Sequence, residues 1–575
     1  MKRILQVLVL SMAGLGLGCL NVGAAILTWN GSTSTAWNNP TNWLPPQVPT
    51  ASDTVIFSAG SLTATTNTAF AIMNWSGGTI SGALTVASGA TLYLGGSTLT
   101  LYGALTNGGT VVATNTSYLS LSYSPPAYDG AIYNLAGGLF DIQNDQFYLY
   151  SSGSAAFFDN AGTLRKSAGD GTTQIYPQLI NTAGTVDAET GTISFYGGGA
   201  IAGQYQAAAG ATNAFAGGSY TNNGAAHLSG AGAFQFTGGT LTLLDNVVPD
   251  LQLLGGTLLL GPAFQGGSIT NLALTGMTLQ SPGTVTGTMN WTAGIVSGGL
   301  TVASGATLYL GGSSLTLYGA LTNAGTVVAT NTSYLSLSYS PPTYDGAIYN
   351  LAGGVFDIRN DQFYMYSSGS AAFFDNAGTL RKSAGTGTTQ IYPLVNNATG
   401  LIEANSGTIG FQTVPNLAGG EVRFGLSSLS SFGAVNIPGA AALTGTVGVA
   451  LLGGYVPAVG NSFTVLTYGS RTGIFTGLNL PAAALWATNY TPTAFTFTVT
   501  GIGTIKLEKG QWTASGFLLS LPGPNNLGPT IVYATTNLLS AWTPIFTNPP
   551  TASAIEFLDT ASTTYRSRFY RTVEQ

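Results

Sequence analysis

The chain has 575 residues, of which only 6% are charged and 45% hydrophobic, with 81 glycines and a formal net charge of −6. The hydrophobic share is too high for a disordered low-complexity tail, and a glycine-rich sequence poor in Lys and Glu disfavours helices and suits short pleated strands with tight turns. No basic residue lies between Arg3 and Arg165 or between Lys166 and Arg359, which excludes a nucleic-acid surface, because that surface needs clustered Lys and Arg.

Met1-Lys2-Arg3, the apolar run from Ile4 to Leu20 and the small residues Val22-Gly23-Ala24-Ala25 have the form of a secretory signal peptide, residues 1–25. Cys19 offers a lipoprotein alternative, although Gly16-Leu17-Gly18 is a poor lipobox. A chain cut after Ala25 keeps no cysteine, so neither a disulfide scaffold nor a thiolate metal site is expected. No later run is apolar enough to span a membrane as a helix. The expected product is exported, without a transmembrane helix, and extracellular or on the outer cell surface.

Residues 26–70 carry Thr28-Trp29-Asn30-Gly31, Trp37-Asn38-Asn39, Asn42-Trp43, Pro49 and Asp53. Three tryptophans at the start of a β-structure serve to plug its open end, since terminal coils need a cap; a surface tryptophan platform for a ligand is the alternative. The arrangement resembles the opening motif of exported bacterial proteins built from autotransporter-associated β-strand repeats.

From Trp75 onward Leu84/Val86, Leu92/Leu94, Leu99/Leu101 and Leu119/Leu121 alternate with polar or small residues, the period of a strand, between glycine-containing turns. Residues 73–177 return as 289–393 with twelve differences over 105 positions, including Leu139/Val355, Gln143/Arg359, Leu149/Met365 and Asp170/Thr386. Inside each copy runs a finer motif, Asn followed by Gly-Thr or Gly-Gly, at Asn107, Asn134, Asn160 and Asn181 and again at Asn323, Asn350, Asn376 and Asn397. Spacings of 27, 26 and 21 residues with strands and no helix match the coil of a parallel β-helix. Stacked asparagine amides bond from coil to coil, and asparagine also tolerates a left-handed turn. Residues 71–413 are therefore expected to be a solenoid of roughly 14 coils, about 70 Å long at ~4.8 Å per coil.

Residues 414–502 change character, with Gly419-Gly420-Glu421-Val422-Arg423-Phe424 and Gly460-Asn461-Ser462-Phe463-Thr464-Val465-Leu466. They resemble the closing segment of haemagglutinin-like bacterial β-helix proteins and are expected to cap the solenoid. Residues 503–575 gather Lys506, Lys509, Arg566, Arg568 and Arg571 and end in Arg568-Phe569-Tyr570-Arg571. This stretch resembles the C-terminal module of large exported bacterial proteins, which implies sorting or anchoring. The expected fold is all-β: a right-handed parallel β-helix with end caps and a small C-terminal β module. These resemblances imply a secreted or surface-displayed adhesin or structural protein, but the 73 residues after 502 are too few for the membrane barrel that ends an autotransporter.

Two residue sets are candidates for chemistry or binding. Asp141 and Asp145, four apart and so on one face of a strand, neighbour Arg165 and Lys166; the second copy repeats them as Asp357, Asp361, Arg381 and Lys382. Such groups would serve a polysaccharide lyase or hydrolase, although turns already account for several of them. His227, the only histidine, has no evident partner for a triad or metal site. The tyrosines are the better lead. Tyr118, Tyr123, Tyr128 and Tyr133 recur every five residues, as do Tyr334, Tyr339, Tyr344 and Tyr349. Exposed rings would hold extracellular polysaccharide or a surface protein; the alternative is packing along or inside the solenoid. Pro125-Pro126 and Pro341-Pro342 place part of each stretch on a loop leaving the coil. The expectation is thus a non-catalytic adhesin, with tyrosines 118, 123, 128, 334, 339 and 344 as binding residues and neither cofactor nor metal. A polysaccharide-active enzyme and a mechanical spacer displaying the C-terminal module are the alternatives.

Overall fold

The computed structural model describes residues 23–114, 118–122, 130–151, 155–312, 314–330, 334–340, 344–367, 372–502, 509–521, 529–549 and 554–574, with 223–225, 339–340, 344–345, 502, 509 and 574 described by backbone alone. The expected signal peptide up to residue 22, Cys19 included, lies outside the described residues. Strands make up 57% of the described residues. Among the described residues there are three short 3-10 turns and no α-helix, and no helix is long and apolar enough to cross a membrane. The chain divides into two compact units, one built from residues up to Ala214 with Ala225–Phe234, the other from Phe215–Gly224 with Gln235 onward.

In the first unit each coil has three faces. One coil runs Thr91–Leu94, Leu99–Leu101 and Ala104–Asn107, and each strand lies parallel to its successor, Thr91 beside Thr110, Leu99 beside Leu119 and Ala104 beside Ala131. Parallel strands need a long return connection, which the other two faces supply. Alternate side chains turn inward, so that Leu84, Val86, Leu92, Leu94, Leu99, Leu101, Leu119 and Leu121 are all 0% exposed, as the period-two pattern predicted. Gly82 turns the corner between the second and third faces at φ +81°. A Cβ there would strike the Ala64 carbonyl, and one on Gly103 would strike that of Gly82.

The asparagines stack as expected. Asn107 Nδ2 donates to Asn134 Oδ1 at 2.7 Å, Asn134 to Asn160 at 2.7 Å and Asn160 to Asn181 at 2.8 Å. Each amide also donates to a backbone carbonyl, Leu139, Thr163 and Thr185 in turn. None uses a left-handed backbone: among the described residues the non-glycine positions with positive φ are Asp250 and Gln265. The amide bonding, not turn tolerance, accounts for asparagine at these positions.

The second unit repeats the plan. Gly283–Val296 is one strand of 14 residues that rounds two corners and pairs in parallel with Leu300–Val302, Thr307–Leu310 and Leu315–Leu317. The second asparagine ladder runs Asn323, Asn350, Asn376, Asn397, every step 2.7 Å.

Parallel pairing is wider than the expected 71–413. In the first unit it begins where Ile26 pairs with Thr54, and in the second it extends to Thr446 beside Gly477. The coils number about 17, more than the roughly 14 expected, because the asparagine motif marks only the longer ones. Thr91 to Thr110 spans 19 residues and Thr240 to Thr257 spans 17, against 29 for Thr110 to Leu139.

At the N-terminal end Trp29, Trp37 and Trp43 are 7%, 1% and 0% exposed. Trp43 meets Trp29 at 4.9 Å and Trp37 at 4.8 Å between centroids, both edge-on. The rings form a plug and not a platform. Near the other end Ser462–Gly473 is parallel to Ala434–Leu443 on one side and antiparallel to Ala494–Ile502 on the other, which in turn lies antiparallel to Ala484–Tyr490. Reversal of direction ends the parallel stacking and covers its edge. Residues 509–574 form two three-stranded antiparallel sheets, Lys509–Thr513, Gly516–Leu521, Ile555–Asp559 and Thr543–Asn548, Thr530–Thr535, Phe569–Glu574, around Leu519, Leu521, Val532 and Ile555.

Candidate functional site: tyrosine rows and ion ladders

Strands in adjacent coils lie ~4.8 Å apart, so outward residues in register fall against one another. On the second face this brings four tyrosines of the first unit into a row. Tyr118 stacks on Tyr150 at 5.8 Å and 27°, Tyr150 meets Tyr176 at 5.8 Å and 61°, and Tyr176 stacks on Tyr196 at 4.8 Å and 13°. The second unit has Tyr334 on Tyr366 at 6.0 Å and Tyr366 against Tyr392 at 5.4 Å. The rings pack on one another, some stacked and some edge-on, which is the packing-along-the-solenoid alternative, although Tyr150 remains 40% exposed and Tyr366 39%. Tyr176 and Tyr392 hydroxyls donate to Gln174 and Gln390 at 2.7 and 3.0 Å. Burial, then neighbouring tyrosines, push the Tyr118 and Tyr176 hydroxyls above their ordinary value, keeping them as neutral donors.

The five-residue tyrosine series does not keep to one face. Tyr118 lies on the second face, whereas Tyr133 lies on the third, edge-on to Phe157 at 5.3 Å. Tyr123 and Tyr128 lie outside the described residues. Tyr339 and Tyr344 sit on a two-stranded antiparallel ribbon, Tyr339 opposite Asp345 and Tyr344 opposite Ser340, so that the chain leaves the coil here as Pro341-Pro342 predicted. Phe147 and Phe363 are wholly buried. Tyr176, Tyr196 and Tyr392 were missed in the sequence; the signal was a spacing between tyrosines equal to the local coil length, not to five.

The carboxylates do not converge. The strand bearing Asp141 is Leu139–Ile142, so Asp145 lies beyond it and the one-face expectation fails. Asp141, 2% exposed, receives Arg165 Nε–H and Nη2–H on its two oxygens, both at 3.0 Å. Asp357 is gripped likewise by Arg381 at 3.1 and 3.0 Å, and by Arg359 at 2.7 Å. Burial pushes both carboxyls up, but hydrogen bonds from the arginines and neighbouring side chains outweigh it and hold them below the usual carboxylate value. The ladder extends outward to Glu189 in the first unit and through Glu403, Arg423 and Glu421 in the second. Asp145 and Asp361 instead accept backbone N–H groups of Asp170 and Thr386 at 2.9 and 2.6 Å.

Lys166 and Lys382 point inward and are 0% exposed. Lys166 Nζ donates to the carbonyls of Asn144 and Ala168 at 2.6 and 3.2 Å, and Lys382 Nζ to that of Asn360 at 2.7 Å. Burial depresses both ammonium groups. Each ties the corner of one coil to the next, as the asparagines do at the opposite corner. His227 is exposed, and among the described residues no three His, Cys, Asp or Glu side chains gather to hold a metal.

Fold and surface together define the class: a parallel β-solenoid whose best-placed carboxylates, Asp141 and Asp357, are paired with arginines, and whose outer faces carry rows of tyrosines. No protein-family model matches the chain, and no curated protein matches it at a significant level.

Proposed function

We propose that the chain is an exported, non-catalytic β-solenoid that acts at the outer cell surface as an adhesive or structural element and binds extracellular polysaccharide, in the manner of the autotransporter-associated repeat and haemagglutinin-like proteins it resembles. The supporting observation is the state of Asp141 and Asp357. A glycan-cleaving enzyme needs one carboxyl poised to donate a proton near neutral pH beside a second acting as base or nucleophile. The best-placed carboxyls are each clamped by arginine and held ionised, and the carboxylates four positions on hold loop backbone instead. The neutral hydroxyl and amide groups of the outer faces suit hydrogen bonding to sugars, and the tyrosine rows add a continuous line of phenol edges.

The test is incubation of purified residues 26–575 with a panel of insoluble polysaccharides, recording retention and release of reducing ends together. Retention without release, reduced when Tyr150 and Tyr366 become Ala, is the expected outcome. Release of soluble sugar contradicts the non-catalytic reading, and absence of retention leaves the mechanical spacer in its place.

A further inference from the structure

An open cleft of about 520 Å³ lies beside the N-terminal plug, between the loop 29–35 and the turn 58–61. No charged side chain lines it. Its loop is built around Asn42, which is 0% exposed. The Asn42 side-chain oxygen accepts the Thr33 and Ser34 N–H groups at 3.1 and 3.0 Å, and its Nδ2 donates to Ser34 Oγ and the Ala36 carbonyl at 3.0 and 2.9 Å. The Asn42 carbonyl accepts the Asn30 and Gly31 N–H groups at 2.9 and 3.3 Å. A loop of exposed small polar residues is thereby fixed before any ligand arrives, which lowers the ordering cost of binding.

Two donors remain. The Trp29 ring is 7% exposed, enclosed by Trp43 and Phe57, yet its Nε1–H has no acceptor among the described residues. It sits between Gly31 and Gly60, both cleft residues: a Cβ on either would lie 3.0 and 3.7 Å from Nε1. Ser34 Oγ accepts from Asn42 Nδ2, the Ala36 N–H and Asn39 Nδ2, which leaves its own proton to donate.

We propose that this cleft is a saccharide subsite taking one neutral, hydroxyl-bearing sugar ring, whose oxygens accept from Trp29 Nε1–H and Ser34 Oγ–H. The subsite deepens the polysaccharide-binding reading and rests on it. The absence of charge in the lining disfavours a phosphate or uronic acid, and an indole N–H beside several hydroxyls suits a ligand rich in oxygen acceptors.

The test follows the tryptophan indole N–H resonances of residues 26–575 by NMR during titration with galactose, mannose and N-acetylglucosamine, the Trp29 resonance being assigned from W29F. A saturable shift of that resonance with at least one sugar is expected. In S58L, where an exposed residue of the cleft wall is enlarged, affinity falls about tenfold or more while the melting temperature is unchanged. No shift with any of the three sugars, or a shift undiminished in S58L, overturns the subsite. Unchanged polysaccharide retention in S58L also overturns it but leaves the adhesive reading intact, whereas loss of retention by the wild-type chain removes both.

Discussion

Asp357 meets two guanidinium groups where Asp141 meets one, because Gln143 of the first copy is Arg359 in the second. Nearby, Asp170 is replaced by Thr386 beside the buried lysine. Both changes make the second site more positive around the same carboxylate. Since the folded-state value of Asp357 lies below the ordinary 3.8, its stabilisation is complete above that value and is lost as the pH falls through the folded-state value. Arg381→Met removes the largest of the hydrogen-bonding contributions that oppose burial, leaving those of Ser383 and Arg359. The variant is expected to be less stable than the parent by about 2–4 kcal/mol at pH 7, with the gap narrowing on acidification below the ordinary carboxylate range. Urea unfolding of both chains across pH checks this; a pH-independent gap would show that Arg381 acts by packing alone. The asparagines were legible in the sequence because a buried amide ladder demands the same residue in every coil. The function of Asn42 was not, because it depends on how residues 30–36 fold back over it.

At the scale of the element, strand and corner make different demands. Alternating leucines specify which side of a strand faces inward, and that pattern was visible directly. Corners depend on what lies one coil away. Gly82 and Gly89 have nearly the same backbone, φ +81° and +83°, but a Cβ at Gly82 meets the Ala64 carbonyl while one at Gly89 meets nothing within 4 Å. Gly89→Ala should therefore cost only the conformational strain, about 1 kcal/mol, and Gly82→Ala at least about 2 kcal/mol more. Comparison of the two denaturation midpoints tests this, and equal losses would refute stacking as the reason for glycine at the corner. The tyrosines mislead for a related reason. A regular interval of five along the chain is not a spatial interval when the chain turns a corner between Tyr118 and Tyr133, and the true rows follow the coil lengths.

At the scale of the molecule, parallel stacking gives every coil two neighbours, so the backbone groups of each strand are satisfied by the coils before and after it. The chain therefore needs closed ends, which the tryptophan plug and the antiparallel strands after Ser462 provide. It also needs few charges, since neutral ladders of Asn, Thr and Tyr repeat without like-charge repulsion; where charge occurs, Asp, Arg and Glu alternate from coil to coil. Parallel β architecture and its repeat were evident from sequence. The sequence placed Arg165 near Asp141 but not the two-point grip, which depends on a register of 24 residues that differs from the coils on either side.

The central proposal is that these carboxylates hold the solenoid together and take no part in catalysis. Its most direct test is reducing-end release from the polysaccharide panel by the wild-type chain and by the double variant Asp141→Asn/Asp357→Asn, measured with the melting temperature of each. The account predicts no release from either chain, unchanged retention, and a lower melting temperature for the variant. Release by the wild type that disappears in a variant still folded at the assay temperature would contradict it.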